Sequence, residues 1–274
     1  MATVAQLAEL QQVMIGAATN AARYIRARAE DLATLQWDRK GPSDFVSDVD
    51  TGAEAQIHEM LLERPPSWPL SVPIHFLGEE SSPNAALGAG LTFVVDPLDG
   101  TTNFLHGYPW YAVSIGALLD GELIAGVVLN APTGELFTAT RGGGAFRDGA
   151  PIAVSTIDEP ARALLGTGLP FKHHEHIEPY LRALPDIMRA TAGVRRAGSA
   201  SLDLCDVACG RFDAFWELRL APWDVAAGTL IVREAGGIVT DLDGQPAPVA
   251  AGPVVAGNPF MHRWLLDRLM EADA

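Results

Sequence analysis

Apolar residues at the start of the chain recur with the spacing of an amphipathic helix. Within residues 4 to 30 they stand mostly three or four positions apart, at Leu7, Leu10, Met14, Ala17, Ala18, Ala21 and Ile25. A helix turns once in about 3.6 residues, so this spacing collects them on one face and predicts a long first helix. A second helix is predicted after Ser47, over Ala53 to Leu62, ending before Pro65 and Pro66.

The middle of the chain has the pattern of β-strands. The apolar run from Leu91 to Val95 predicts a strand buried on both faces, and Pro97, which has no N–H to donate, is expected to end it. Further segments rich in β-branched and apolar residues, separated by turn residues, predict an antiparallel meander. They are Tyr111 to Leu119, Glu122 to Asn130 and Glu135 to Thr140.

Beyond residue 160, strand-like and helix-like segments alternate. Strands are predicted at Ala163 to Gly168, Val194 to Arg196 and Ala214 to Trp216, and helices from about Glu175, Ser199 and Trp223. This order predicts a layered α/β fold. We expect one domain over residues 1–274, with a mostly antiparallel half to about residue 155, an alternating half from about 156, and surface loops at Arg64–Pro73 and Ser81–Gly90.

Composition and charge narrow the possible partners. Hydrophobic residues make up 48% of the 274 residues, and the formal net charge is −15. An acidic chain without a basic stripe does not suit a nucleic-acid backbone, whereas a small anionic substrate is compatible if metal ions supply positive charge. No run is long enough to span a bilayer and the first residues lack the features of a signal peptide, so we expect no membrane partner and a cytoplasmic location.

Several residues that often carry chemistry have simpler explanations here. Cys205 and Cys209 are not in a CxxC pair, so reduced, partly buried thiols are expected rather than a disulfide or zinc site. The histidines at 173, 174 and 176 have no acidic or cysteine partner at ligand spacing and are predicted to lie in a solvated loop. The glycines at 142–144 lack the GK[ST] ending of a phosphate loop and predict a tight turn.

The strongest candidate for chemistry is a pair of acids at the end of the buried strand. Asp96 and Asp99 are separated by Pro97 and Leu98, and Gly100 follows. Two carboxylates fixed so close together repel each other, and a hard divalent cation between them relieves the repulsion. The motif therefore indicates a metal site.

Two further acids follow short apolar runs or begin helices. Glu79 follows the run at Phe76-Leu77, and Asp224 stands at a predicted helix start. Taken alone, each is explained by capping or solvation. For Asp50, too, a simpler explanation exists: it is an ordinary acid at the N-terminus of a helix. The Asp48–Gly52 run is similar to a calcium loop, but Ala53 stands where an EF-hand needs glycine, so calcium binding is not expected.

Taken together, these segments resemble the inositol monophosphatase family over nearly the whole chain. The segments Gly78–Glu80, Asp96–Phe104 and Trp223–Gly228 match the three signatures of the family in order. Val46–Asp50 is similar to an upstream segment of the family, and Gly168–Lys172 resembles bacterial members. The resemblance implies the layered αβαβα sandwich of the inositol monophosphatase and fructose-1,6-bisphosphatase type, a lithium-sensitive phosphatase and a homodimer.

The resemblance also implies a set of Mg²⁺ ligands. Glu79, Asp96 and the carbonyl of Leu98 would hold one ion, and Asp96, Asp99 and Asp224 a second. A third, weaker ion would share Glu79, with Lys40 nearby. Carboxylate, carbonyl and water oxygens are the ligands that suit Mg²⁺. Two to three ions per subunit are therefore expected.

The reaction implied is hydrolysis of a phosphate monoester by a metal-activated water. Thr101 and Asp50 would help to deprotonate that water, and the N–H groups of Gly100 and Thr101 would face the phosphate. No phosphoenzyme is needed. The leaving group would bind at Gly198, Ser199, Ala200, Glu217 and Asp224.

Carboxylate and amide groups at that subsite suit sugar-like hydroxyls, so a myo-inositol monophosphate is the leading substrate. The alternative explanation for Glu217 is that it is an ordinary surface acid at the end of a strand. Histidinol phosphate ranks second. Fructose 1,6-bisphosphate and phosphoadenosine phosphate rank lower, because a second phosphate would need basic residues, for which only Lys172, Arg195 and Arg196 are candidates. A metal-binding regulatory protein that keeps the fold without turnover is the alternative that is not an enzyme.

Overall fold

Two large β-sheets and three helical layers make up the fold. The computed structural model describes residues 2–62, 72–85, 87–247 and 249–273. The helices in these residues are α1 (Val4–Ala29), α2 (Asp48–Leu62), α3 (Thr101–Leu105), α4 (Ile177–Ala190), α5 (Ala200–Ala208), α6 (Pro222–Glu234) and α7 (Pro259–Asp273). The strands are β1 (Trp37–Gly41), β2 (Asp44–Ser47), β3 (Ile74–Gly78), β4 (Leu91–Asp99), β5 (Ala112–Leu119), β6 (Glu122–Asn130), β7 (Leu136–Thr140), β8 (Gly144–Arg147), β9 (Ala150–Pro151), β10 (Leu164–Thr167), β11 (Gly193–Arg195), β12 (Ala214–Leu220), β13 (Ile238–Thr240) and β14 (Gly252–Gly257).

The strands of each half form their own sheet. In the part of the chain that the structure describes, the first sheet has the order β3-β4-β5-β6-β7-β8-β9 and the second the order β11-β10-β12-β14-β13, with β1 and β2 as a separate hairpin. Among the described strands of the first sheet, only β3 and β4 pair in parallel, and the predicted meander is β5-β6-β7. In the second sheet β10 is parallel to β11 and β12, while β14 is antiparallel to its neighbours.

The helices and sheets alternate in five layers. Helices α1 and α2 cover the outer face of the first sheet, and α5 and α6 fill the space between the sheets. Helices α4 and α7 cover the outer face of the second sheet. This is the αβαβα sandwich predicted from the sequence.

Strand β4 is buried on both faces because helices cover both sides of its sheet. Leu91, Phe93 and Val95 pack with α1 and α2, whereas Val94 belongs to the core between the sheets. Alternate residues of a strand point to opposite faces, so a continuous apolar run is what this position requires.

Helix α6 approaches the first sheet unusually closely. A Cβ atom on Gly116 of β5 would lie 2.6 Å from the Cβ of Ala226, and one on Gly126 of β6 would lie 2.8 Å from the carbonyl oxygen of Ala227. Both glycines therefore leave room for the helix backbone. This contact fixes the first turn of α6 beside the end of β4.

The prediction that Pro97 ends the strand was wrong. Strand β4 continues to Asp99 through a bulge: Asp96 pairs with Ser114 and Asp99 with Ala112, so three steps on β4 match two on β5. A bulge interrupts the ladder locally, and a proline without an N–H is tolerated there. The bulge turns both acids of the motif toward one end of the sheet.

Some boundaries differ from the predicted ones. Helix α2 begins at Asp48, directly after Ser47 as predicted but five residues before Ala53, because the Ser47 side chain accepts a hydrogen bond from the Val49 N–H at 3.2 Å and so caps the helix. A short 3₁₀ turn precedes α4. The β1–β2 hairpin was not predicted, since its charged residues have low strand propensity.

The simpler explanations for other motifs hold in the described residues. Residues 141–143 form a turn before β8, and both cysteines are free, with Cys205 buried and Cys209 half-buried. The Ser81–Gly90 segment, described except for residue 86, joins β3 to β4. The predicted loop at Arg64–Pro73 lies outside the described residues apart from its last two. Among the helices described, none combines the length and apolarity needed to cross a membrane.

Candidate active site

A cavity of about 660 Å³ lies where the end of β4 meets the first turns of α3, α5 and α6. Its wall contains most of the residues selected from the sequence: Glu79, Asp96, Leu98, Asp99, Gly100, Thr101, Gly198, Ser199, Ala200, Glu217 and Asp224. Two more are connected to this wall: Asp50 is hydrogen-bonded to Thr101, and Lys40 is hydrogen-bonded to Glu79. Residues far apart in the chain thus meet in one place.

Three aspartates of the cavity lie close together. One carboxylate oxygen from each of Asp96, Asp99 and Asp224 is within 4.8 Å of the others. Asp96 and Asp99 are buried at the two ends of the β4 bulge, and Asp224 is half-buried in the first turn of α6. Three like charges at this separation are stable only with protons or a cation among them.

Hydrogen bonds hold each aspartate by one of its oxygens. The Leu98 N–H donates to Asp96 Oδ1 at 2.9 Å, and the Ala221 N–H donates to Asp224 Oδ2 at 2.6 Å. Asp99 Oδ2 accepts from Ser199 Oγ, from the Ser201 N–H and from Ser201 Oγ, at 2.5 to 2.8 Å. The second oxygens of Asp96 and Asp224 accept no hydrogen bond from the described residues, so they remain available to a ligand.

Burial raises the pKa of all three carboxyl groups and is the largest cause in each case. The charges of Glu79, Asp99 and Asp224 raise the pKa of Asp96 further, and the pKa of Asp224 reaches about 7. Hydrogen bonds from Ser201 and Ser199 oppose the rise at Asp99. The site therefore has an electrostatic need for positive charge near neutral pH.

Glu79 lies beside the aspartates at the end of β3. Its N–H donates to the Val95 carbonyl at 3.2 Å, which extends the β3–β4 pairing by one residue. The Glu79 carboxylate is 3.3 Å from Lys40 Nζ, which also contacts Glu80 at 2.6 Å. Glu79 lines the cavity, but the three-aspartate cluster does not include it. Burial raises the pKa of Glu79, and the nearby Lys40 charge opposes this rise.

Asp50 and Thr101 form a hydrogen-bonded pair next to Leu98. The Thr101 hydroxyl is 2.9 Å from Asp50 Oδ1 and 3.1 Å from the Leu98 carbonyl oxygen. Asp50 Oδ2 accepts from the N–H and hydroxyl of Ser47, at 2.8 and 2.5 Å. One oxygen of Asp50 thus serves the start of α2, as the simple explanation proposed, and the other serves Thr101. Burial raises the pKa of Asp50.

Two glycines in the left-handed region bring the Asp99 turn against the start of α5. Gly100 has φ +96° and Gly198 has φ +91°. A Cβ atom on Gly100 would lie 3.2 Å from the Gly198 carbonyl oxygen. The Asn103 side chain donates to the Trp110 and Ala197 carbonyls at 2.7 and 2.9 Å, which fixes the segment before Ser199 beside α3.

Glu217 faces the cavity from within β12 rather than from the strand's end. It is half-buried, and burial together with the charge of Asp224 raises its pKa to about 8. A Cβ atom on Gly168 would overlap the Glu217 carboxylate, so the glycine of the Gly168–Lys172 segment makes room for it. This placement contradicts the strand-end surface acid considered as the alternative.

The inositol monophosphatase family model matches residues 6–273. This chain belongs to that family. The inositol-1-monophosphatase of Rhizobium meliloti is 44% identical over 256 residues, which are 93% of this chain and 94% of that protein. The Nus factor SuhB of Pseudomonas aeruginosa is 42% identical over 258 residues, 93% of each protein. The resemblance to the inositol monophosphatase family found in the sequence is therefore confirmed.

Solved structures of the family have the same fold. The extragenic suppressor protein suhB from Bartonella henselae has a TM-score of 0.85 with this chain at 41% identity, covering 94% of this chain and 97% of that one. The predicted fold type is thereby confirmed. Family membership makes this chain one of a family of phosphatases, and its aspartate cluster offers a place for a metal ion.

Asp44 and His173 line the cavity and were not predicted from the sequence to do so. Ser201, which holds Asp99, and Asp203, which lines the cavity, follow the predicted Gly198, Ser199 and Ala200 in the same segment. His173 was expected in a solvated loop, but it is half-buried at the cavity wall and 3.4 Å from Glu175. Loop packing decides such placements, and the residue pattern does not reveal it.

The basic residues considered for a second phosphate divide into two groups. Lys172 and Arg196 line the cavity, whereas Arg195 is exposed and is not part of its wall. Lys172 Nζ is 2.6 Å from Asp44 of the β1–β2 hairpin. The Arg196 guanidinium lies 5.1 Å from the centre of the Phe171 ring. Among the described residues, no hydrogen bond or ion pair joins either side chain to the aspartate cluster, although the charge of Lys172 lowers the pKa of Asp224 against the larger effect of burial.

Proposed function

We propose that this protein is a Mg²⁺-dependent phosphomonoesterase that hydrolyses myo-inositol monophosphate. The observation that carries the proposal is the cluster of Asp96, Asp99 and Asp224, in which hydrogen bonds hold one oxygen of each acid while oxygens of all three approach one another. A phosphate ester is anionic and this cavity is acidic. Cations are therefore needed for the two to meet.

The donor set fits a hard cation. Asp96, Asp99 and Asp224, with Glu79 and the Leu98 carbonyl, supply only oxygen atoms, and burial among other carboxylates raises the pKa of Asp96, Asp224 and Glu79, so a nearby cation would favour their ionised forms. These residues would hold two to three Mg²⁺ ions, with Lys40 beside Glu79. Bound Mg²⁺ would neutralise phosphate charge and make water a stronger nucleophile at neutral pH.

Thr101 and Asp50 are placed to orient the attacking water and to take up its proton. A threonine hydroxyl can accept from water while it donates to Asp50 Oδ1, at 2.9 Å. Burial raises the pKa of Asp50, so that carboxylate is a better proton acceptor than an exposed aspartate. The proton would pass from water to Thr101 Oγ1 as the Thr101 proton passes to Asp50.

The start of α3 is suited to the phosphate group. Gly100 precedes this helix, and the first N–H groups of a helix have no partners within it. Gly100 and Thr101 both line the cavity, so their N–H groups would donate to phosphate oxygens. Absence of a side chain at Gly100 permits close approach of the ester.

The leaving group would occupy the subsite formed by Gly198, Ser199, Ala200, Glu217 and Asp224. A half-buried carboxylate such as Glu217 strongly favours a ligand with hydroxyl groups, because a ligand without them leaves it unpaired. We therefore rank inositol 1-phosphate above histidinol phosphate and fructose 1,6-bisphosphate. The inositol-1-monophosphatase name of the Rhizobium meliloti relative supports this order.

Turnover of a panel of phosphate esters tests the substrate. We expect kcat/KM to be highest for inositol 1-phosphate, and Glu217→Gln to lower it about tenfold or more while p-nitrophenyl phosphate, which has no hydroxyls, is affected less than twofold. Equal losses on both esters would show that Glu217 does not select the leaving group. A higher kcat/KM for histidinol phosphate would replace inositol phosphate as the substrate.

Two family properties accompany the proposal. Lithium should inhibit turnover by occupying the position of the second cation, and millimolar lithium without effect on turnover would contradict this. We also expect a homodimer, which sedimentation velocity can test. A sedimentation coefficient of a monomer at micromolar protein concentration would contradict this expectation.

A regulatory protein is the second candidate function, because a relative 42% identical is named Nus factor SuhB. Turnover by the purified chain would exclude regulation as the sole function.

A further inference from the structure

Glu54 is a buried carboxylate that the mechanism does not use. It lies on α2 one turn after Asp50 and is only 2% exposed. Glu54 Oε2 accepts the Glu80 N–H at 2.9 Å, and Oε1 accepts the Ser81 N–H at 2.7 Å. Burying a carboxylate is costly, and these two bonds are what its oxygens receive from the described residues.

The backbone that Glu54 holds is the turn that presents Glu79. Glu79 is the residue just before Glu80, and its own N–H is bonded to Val95 of β4 at 3.2 Å. The chain is therefore fixed on both sides of the Glu79 Cα atom. A Cβ atom on Gly78 would overlap the Glu54 carboxylate, so the glycine of Gly78-Glu79-Glu80 is required for Glu54 to reach the turn.

Asp50 and Glu54 stand four residues apart on the buried face of α2. Residues at this spacing lie on one side of a helix. Asp50 is bonded to Thr101 at the start of α3, and Glu54 is bonded to the turn after β3. One helix thus sets the distance between the group that would orient the water and the carboxylate that would hold a cation.

We propose that Glu54 is a positioning residue that fixes Glu79 for cation binding, with α2 acting as a rigid spacer between Glu79 and Thr101. This inference rests on the cation site of the proposed function. Glu54 is not among the described residues that line the cavity. Its effect passes through the backbone of Glu80 and Ser81.

The test compares two glutamates that have the same kind of bonding. Glu234 also accepts two backbone N–H groups, from Gly142 at 2.8 Å and Gly144 at 2.9 Å, but it is not part of the cavity wall. Replacing either glutamate by glutamine puts an amide NH₂ where one N–H needs an acceptor. Glu234→Gln therefore controls for the general loss of such bonds.

Mg²⁺ binding without substrate is the main measurement, by calorimetry and by the rise in Tm that Mg²⁺ causes. We expect Glu54→Gln to weaken Mg²⁺ binding about 10- to 100-fold, the range seen when groups that support metal ligands are removed. Substrate KM at saturating Mg²⁺ should change less than twofold, and higher Mg²⁺ should restore most of kcat. Glu234→Gln should bind Mg²⁺ as the wild type does.

Other results would overturn the inference. A folded Glu54→Gln variant with unchanged Mg²⁺ affinity, or with a loss no larger than that of Glu234→Gln, would do so. Absence of Mg²⁺ binding in the wild type would instead refute the proposed function.

A measurement on the wild type covers the case in which Glu54→Gln does not fold. Amide exchange at Glu80 and Ser81 should slow when Mg²⁺ is added, while exchange at Gly142 and Gly144 should not change. Unchanged amide exchange at Glu80 and Ser81 would contradict the positioning role of Glu54.

Discussion

At the scale of single residues, Asp224 and Asp50 each combine a bond at a helix start with a place at the site. Asp224 accepts the Ala221 N–H at the start of α6, and one of its carboxylate oxygens lies within 4.8 Å of oxygens of Asp96 and Asp99. Asp50 divides its oxygens between Ser47 and Thr101. The helix-capping role and the functional role were alternatives in the sequence, and the geometry combines them. Capping fixes the carboxylate in the orientation that the site needs.

The Asp50–Thr101 pair gives a prediction at this scale. Thr101→Ala removes the hydroxyl that bonds to Asp50 and that is proposed to orient the attacking water, so we expect kcat to fall about 100-fold or more, as when a general acid–base group is lost. Thr101→Ser keeps the hydroxyl and should recover most of kcat. Steady-state kinetics at saturating Mg²⁺ make the comparison.

Asp50→Asn adds a test of the pairing. Because Asp50 and Thr101 are proposed to act as one unit, the double variant should be no slower than the slower single variant within about threefold. Multiplying losses would show that the two residues act separately.

At the scale of elements, close packing of α6 on β5 and β6 is what brings Asp224 to the aspartates of β4. Gly116 and Gly126 have no space for a side chain where the helix crosses them. A helix held farther away would leave the third acid outside the cluster. The site therefore depends on two glycines that do not line the cavity.

Gly116→Ala tests this dependence. The added methyl group meets Ala226, so we expect a loss of about 1 to 3 kcal/mol in the free energy of unfolding. Weaker Mg²⁺ binding should accompany it, because Asp224 moves with α6. Urea unfolding and Mg²⁺ calorimetry provide the values.

Gly252→Ala is the matched control, since a Cβ atom there has no neighbour within 4 Å and its φ is not positive. Its stability should stay within about 0.5 kcal/mol of the wild type. Equal stability of the two variants would contradict the packing argument.

The sequence predicted the elements that have clear periodicity or turn signals. Helix α1, the β5–β7 meander and the start of α6 lie within a few residues of their predicted positions. The end of β4 was missed because a bulge at Pro97 depends on pairing with β5, which is not a local property. The β1–β2 hairpin was missed because charged residues dominate it.

Candidate site residues were found unevenly for a similar reason. Asp96 and Asp99 follow an apolar run and were visible without any comparison. Glu217 was ambiguous, because its orientation depends on the space that Gly168 leaves across the sheet. Glu54 was not found, since its side chain bonds to backbone groups remote in sequence.

At the scale of the whole molecule, the chain is acidic, and several of its carboxyl groups are buried at the cavity where a cation is expected. The formal net charge is −15, and burial raises the pKa of several cavity acids, to about 7 for Asp224 and about 8 for Glu217. Without metal, these groups hold protons more tightly in the folded chain than in the unfolded chain. Their repulsion must therefore affect stability as the pH rises.

The metal-free protein should lose stability as the pH rises from about 5 to about 8. The folded state binds more protons than the unfolded state in this range, so the stabilising contribution is complete below the unfolded pKa values near 4 and is lost as pH passes the raised ones. Thermal unfolding with a chelator should show Tm falling across this range.

Added Mg²⁺ and the Asp96→Asn substitution should each reduce the fall of Tm with rising pH. Mg²⁺ supplies the positive charge, and the asparagine removes one of the repelling carboxylates. A metal-free Tm that stays constant or rises between pH 5 and 8 would show that the acids are not strained against one another.

The central claim is that the aspartate cluster holds the cations that drive phosphate ester hydrolysis. The most direct measurement is phosphate release from inositol 1-phosphate during a Mg²⁺ titration, with wild type and Asp96→Asn in parallel. We expect no release with chelator, saturable activation by Mg²⁺, and a fall of about 1000-fold or more in the folded Asp96→Asn variant. Release by the chelated wild type, or wild-type rates from Asp96→Asn, would contradict the account.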